Sequence, residues 1–174
     1  MTLILKQIFQ LLKLLNSENG SRQIALGVSL GFILGMTPSF SLQTILVLLI
    51  LIFFRVQMGA AFVTAFFFKF MAYLLDPVFH KIGSSILSID SLSPLFTELY
   101  NMPVVPWTRF YNTIVMGSGV FSIILAPVIF VLSLSFINKY RELIYYRFKE
   151  SKFFKAVRAT AFYKWYAKYD EYYG

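Results

Sequence analysis

Residues 23–54 read QIALGVSLGFILGMTPSFSLQTILVLLILIFF, thirty-two positions without a charged side chain. A single membrane helix needs about 20 apolar residues, so this run is too long for one span and too short for two full ones. Its middle holds its main polar cluster, Thr37-Pro38-Ser39-Phe40-Ser41-Leu42-Gln43. Two apolar half-segments therefore meet at a Pro-containing polar break. Irregular backbone at membrane depth is tolerated only where protein buries it or water reaches it. The expected class is all-α: an integral membrane helical bundle with a broken, re-entrant N-terminal hairpin, two spanning helices and flanking amphipathic surface helices.

Composition supports that class. Of 174 residues, 58% are hydrophobic and 14% charged, against roughly 25% charged in a typical soluble domain. There is no cysteine, which excludes disulfides and thiolate metal sites, and His80 is the one histidine. Metal and nucleophile–base chemistry have little to draw on, so neither a cofactor nor an enzymatic activity is expected. The start does not read as a cleavable signal: Met1-Thr2 gives no basic leader, and no small-residue cleavage site follows.

Working outward, residues 2–15 alternate Lys6, Gln7, Gln10 and Lys13 with Leu5, Ile8, Phe9, Leu12 and Leu15 at helical spacing. Fourteen residues reach only about 21 Å, so this segment is expected to lie along the membrane surface. The turn Asn16–Ser21 ends it, with Ser21 a candidate N-cap for the next helix. Gln23–Met36 carries Gly27, Gly31 and Gly35, spaced to let another helix backbone approach closely. Leu42–Phe54 is Leu- and Ile-rich.

Met58–Leu75 is the first expected span, interrupted only by Lys69. Asp76-Pro77 reads as its end, with Asp76 capping a new helix from Pro77 to about Leu87. Residues 88–106, with three prolines, read as a surface connection holding a short amphipathic helix near Leu95–Tyr100. Trp107–Asn138 is the second span, Trp107 and Tyr111 at one interface, Tyr140 at the other, and Pro127 a kink. Residues 139–174 form a basic, aromatic surface helix with nine Lys/Arg against four acids. The domain organisation is thus a membrane domain over 1–138 and a cytoplasmic surface helix over 139–174.

Both ends are basic, which places both in the cytoplasm and demands an even number of crossings. A hairpin over 23–54 that enters and leaves on one side satisfies this. So do two short, tightly packed helices that nearly cross.

The stretch from Ile24 to Ala61 resembles a bacterial membrane-domain family catalogued as a domain of unknown function, number two thousand and sixty-two. The family pattern is a Gly-rich apolar helix, Pro-x-x-Gly-x-Gln-Thr, then a Leu-rich helix ending in Arg-x-Asn before small residues. Gly27, Gly31 and Gly35, then Pro38, Gln43 and Thr44, then Arg55, Ala60 and Ala61 match it. Ser41 stands where the family has Gly, and Gln57 where it has Asn; Asp76-Pro77 is similar to a later Asn-Pro pair at different spacing. The resemblance implies fold class and a bacterial inner-membrane location.

The residues that carry possible chemistry are few. Pro38, Ser39, Ser41 and Gln43 line the break, and helix ends pointing at a break supply partial charges there. Alternatively, Ser39, Ser41 and Gln43 only satisfy backbone groups freed around Pro38. Lys69 is an intramembrane charge and a functional candidate on that ground, or it snorkels to the near interface. Asp76 lies two turns on, about 10 Å away, and His80 is within reach of Asp76. Arg55 anchors at headgroups or pairs with a phosphate. Gly27, Gly31 and Gly35 are packing residues. The expected role is a small component of envelope lipid or lipid-linked precursor transport. The alternative is a non-transporting scaffold for a partner protein. Expected partners are anionic headgroups, a second copy or an envelope protein, and not nucleic acid.

Overall fold

The computed structural model describes residues 20–54 and 56–145. The expected surface helix over residues 2–15, Arg55 and the tail beyond Tyr145 lie outside them. Among the described residues the fold is all-helical. Helix α1 runs Ser21–Met36, α2 Leu42–Phe53, α3 Met58–Leu87, α4 Ser93–Asn101 and α5 Thr113–Tyr140. Two 3-10 turns, Asp90–Leu92 and Val105–Thr108, flank α4, and a short π-type turn, Arg141–Tyr145, follows α5. The chain divides into two compact units at Ser135/Phe136.

The first unit is built on a hairpin. Helix α1 has 16 residues and α2 has 12, so they extend about 24 Å and about 18 Å. The chain returns to where it set out: the Gln57 amide donates to the Gln23 carbonyl at 3.3 Å, joining the start of α3 to the start of α1. From there α3 runs beside α1 in the same direction. Gly27 faces Ala60, Gly31 faces Ala61, and Gly35 faces Ala65 and Phe68. A Cβ on Gly31 would stand 2.8 Å from the Ala61 Cα, so the two backbones touch where side chains would ordinarily keep them apart. The partner of the glycine stripe is thus α3 of the same chain.

Helix α5 packs antiparallel to α3. Gly83 meets Thr113 and Gly117, and Phe79 packs on Phe121 with ring centroids 5.3 Å apart. Across to α1, the Ser29 hydroxyl donates to the Ala126 carbonyl at 2.7 Å. Ile33, Val47, Leu51, Ala61 and Ala126 form one buried cluster that all four long helices share; Phe32, Met36, Ala72 and Phe79 form a second, toward α5.

Several boundaries differ from the expected ones. Helix α3 does not end at Asp76-Pro77 but runs unbroken to Leu87, 30 residues in all, with Asp76 and Pro77 inside it. Proline removes one backbone hydrogen bond, and the fully buried Phe79 and the Gly83–Gly117 contact hold the next turns against α5. Helix α5 starts at Thr113, not Trp107. Pro103 and Pro106 divert the chain, Arg109 adopts the left-handed conformation at φ 56°, and Asn112 Oδ1 caps the helix by accepting from Ile114 and Val115. Pro127 lies within an unbroken α5. Gly20, not Ser21, occupies the N-cap of α1.

Helices α3 and α5 are each long and apolar enough to cross a membrane, while α1 and α2 are apolar but shorter. Much of their outward surface is large and apolar, including Ile45, Leu49, Ile52 and Phe53 on α2, Phe70 and Leu74 on α3, and Ile124 and Leu132 on α5.

Candidate functional site

Helix α1 stops at Thr37, whose extended backbone (φ −89°, ψ 148°) precedes Pro38. A residue before proline is pushed out of helical geometry, so the sequence ends the helix here by sterics. Helix α2 restarts at Leu42 with Ser41 as N-cap; its hydroxyl accepts from the Thr44 amide at 3.3 Å. Thr37, the Pro38 carbonyl, Ser41 and Thr44 are tied into one hydroxyl cluster. Thr37 Oγ1 donates to the Ile33 carbonyl at 2.8 Å, and Thr44 Oγ1 donates to the Pro38 carbonyl at 3.0 Å. Each hydroxyl has one proton, so Ser41 Oγ, 3.0 Å from Thr44 Oγ1, is the donor in that contact. Thr37 and Ser41 are fully buried. Of the three residues weighed for satisfying the backbone around Pro38, Ser41 takes that role, alongside Thr37 and Thr44. Pro38 is half-buried, and Ser39 and Phe40 are exposed at its tip.

Lys69 reaches this cluster from α3. Its Nζ donates to the Thr37 carbonyl at 2.8 Å. That carbonyl belongs to the C-cap of α1, where unpaired carbonyls concentrate negative partial charge, so an ammonium there is favoured. The site therefore joins α1, α2 and α3 through a half-buried cation at a helix end. Lys69 is thereby pinned to the break. Asp76 lies two turns further along α3, half-buried. His80 bonds not to Asp76 but to Thr113 Oγ1, at 2.7 Å from Nδ1, linking α3 to the start of α5.

Gln43 points away from the hydroxyl cluster. Its side chain lies over Gly119 of α5, where a Cβ would stand 2.8 Å from its Cδ. Its Oε1 is buried without a hydrogen-bond partner among the described residues. Sequence reading named the break from Thr37 to Gln43, Thr44 beside it and Lys69 apart from it, but did not join Lys69 to Thr37 or Gln43 to Gly119. Thr44 was visible in the Gln-Thr pair; the Thr37 contribution is a backbone carbonyl and carries no residue-type signal.

The arrangement offers one positive group held where an apolar hairpin turns, with hydroxyls already engaged. It suits holding an anion or locking a fold.

An uncharacterized protein of Treponema pallidum (strain Nichols) is 24% identical over 155 residues, 89% of this chain and 96% of the relative. No solved structure matches. The family described as "Uncharacterized protein conserved in bacteria (DUF2062)" matches residues 6–144, and the chain therefore belongs to that family.

Proposed function

We propose that this chain is an integral protein of the bacterial inner membrane that handles anionic lipid or lipid-linked precursors, with Lys69 as the headgroup contact. The observation that carries the reading is the Lys69–Thr37 contact at the turn of a hairpin whose two ends meet. From Gln23 to Thr37 is about 21 Å along α1, short of a hydrocarbon core of about 30 Å. With the hairpin base at the cytoplasmic headgroups, the break and Lys69 lie inside the membrane. Helix α3, about 45 Å long, continues past the break and crosses, and α5 returns. The exposed apolar side chains of α2, α3 and α5 support this placement, because contiguous apolar surface of that extent is not left in water. A charge at such depth is costly to keep without a use. The role is passage or binding rather than catalysis, and both termini face the cytoplasm.

The test is leaflet-to-leaflet movement of a fluorescent phosphatidylglycerol analogue in vesicles carrying the purified protein. The wild type accelerates it, Lys69→Met returns the rate to that of protein-free vesicles, and Lys69→Arg retains part. No acceleration by the wild type, or a full rate in Lys69→Met, contradicts the proposal.

A second reading, a non-transporting anchor for a partner protein or a second copy, draws on the apolar outer face of α2. It does not run through the glycine stripe, which α3 already covers.

A further inference from the structure

At the far end of α3 from the hairpin base, a groove of about 340 Å³ opens between the end of α3, α4 and the turn before α5. It lies within the first unit and away from Lys69. Its lining is Leu87, Phe96, Phe110 and the two tyrosines Tyr100 and Tyr111, with Ser93, Thr97 and Asn101 between them. The volume sits at the low end of the roughly 300–1,000 Å³ usual for small-molecule sites.

The rings are held, not loose. Tyr100 and Tyr111 meet edge to face at 5.4 Å, and Phe110, only 9% exposed, contacts both Tyr111 at 5.9 Å and Phe96 at 6.3 Å. Tyr100 and Tyr111 nevertheless stay about half exposed, so ring surface remains for a ligand. Pro94 in the first turn of α4 and the Thr97 hydroxyl bonded to the Ser93 carbonyl at 2.9 Å fix the helix that carries the polar groups. Among the described residues, no charged side chain lines the groove.

That chemistry selects its ligand. An anion finds no cation there. A quaternary ammonium would use the rings, but it has no use for hydroxyl and amide donors and finds no carboxylate. A neutral ring with apolar C–H faces and hydroxyl edges uses both sets of groups at once. We infer that this groove binds a neutral pyranose sugar, its face on Tyr100 and Tyr111 and its hydroxyls toward Ser93, Thr97 and Asn101. The sugar is either a free saccharide or the glycosyl headgroup of a lipid, since Val104 and Trp107 beside the groove, 70% and 83% exposed, suit a membrane interface.

The experiment uses the full-length protein in phosphatidylglycerol nanodiscs and saturation-transfer NMR with methyl glucopyranoside, methyl galactopyranoside and phosphocholine as probes. At least one pyranoside receives transfer and phosphocholine does not. Tyr100→Ala and Tyr111→Ala each weaken pyranoside binding about twofold to tenfold, whereas Tyr100→Phe, which keeps the ring, stays near wild type. Adding glucosyl diacylglycerol to the nanodisc identifies the source: loss of the soluble signal marks a lipid-borne sugar, and an undiminished signal a free one. Lys69→Met leaves the signal unchanged, so this site and the headgroup path fail or stand separately. No transfer to either pyranoside in the wild type, preference for phosphocholine, or indifference to both tyrosine substitutions overturns the inference.

Discussion

Gln43 carries a buried acceptor with no donor among the described residues, and such a group costs about 1–3 kcal/mol when left unpaired. Gln43→Leu removes that cost and keeps the volume, so thermal unfolding in detergent should occur at a higher temperature than in the wild type. A lower midpoint means that the acceptor is satisfied in the membrane. Glycine positions give the opposite sign. Gly31→Ala forces a Cβ into the backbone of Ala61 and should destabilise by about 1–3 kcal/mol. Gly20→Ala, with no described atom within 4 Å, meets no such clash and should cost only the poorer N-cap preference of alanine, under about 1 kcal/mol. Equal midpoints for the two variants would contradict the α1–α3 contact. At this scale the sequence was partly legible. The Gly27-Gly31-Gly35 spacing announces a close approach, and an uncompensated Lys69 announces a polar partner. The partner itself is a carbonyl 32 positions earlier, which no residue-type pattern reveals.

The elements follow from local signals wherever those signals act alone. Pro38 ends α1 and Ser41 starts α2, and both are readable because a pre-proline residue and a serine N-cap work within a few residues. Asp76-Pro77 carries an equally good local signal for a helix start, yet α3 runs through it, because Phe79 and Gly83 are held by α5 some 35 positions later in the chain. The same logic predicts how the elements respond to change. Pro77→Ala should leave helix content unchanged and slow hydrogen exchange in the turn around Tyr73, whose carbonyl regains a donor. A loss of helix would show that Pro77 is needed to build α3. Thr44→Val strips the hydroxyl that ties Pro38 and Ser41 together and should cost about 1–3 kcal/mol. Its effect should appear as faster exchange confined to the α1–α2 connection; unchanged protection there would mean that the hydroxyl cluster does not hold the break.

On the scale of the whole molecule, the central claim is that the chain enters and leaves the membrane on one side before it crosses. The charge-free run of 23–54 and its polar middle make a hairpin legible from sequence, and the Gln57–Gln23 contact closes it. The placement of the groove behind Tyr100 and Tyr111 was not legible, because Phe96 and Phe110 come together only through the packing of α4 against the turn before α5. The most direct measurement places single cysteines at Arg22, Ser39, Gln57 and Ser91 in this cysteine-free chain and labels them with a membrane-impermeant maleimide from each side. Cytoplasmic labelling of Arg22 and Gln57 with outside labelling of Ser91 is the predicted result. Labelling of Gln57 from the outside while Arg22 labels from the cytoplasm would contradict the hairpin and, with it, the placement of Lys69 at its turn.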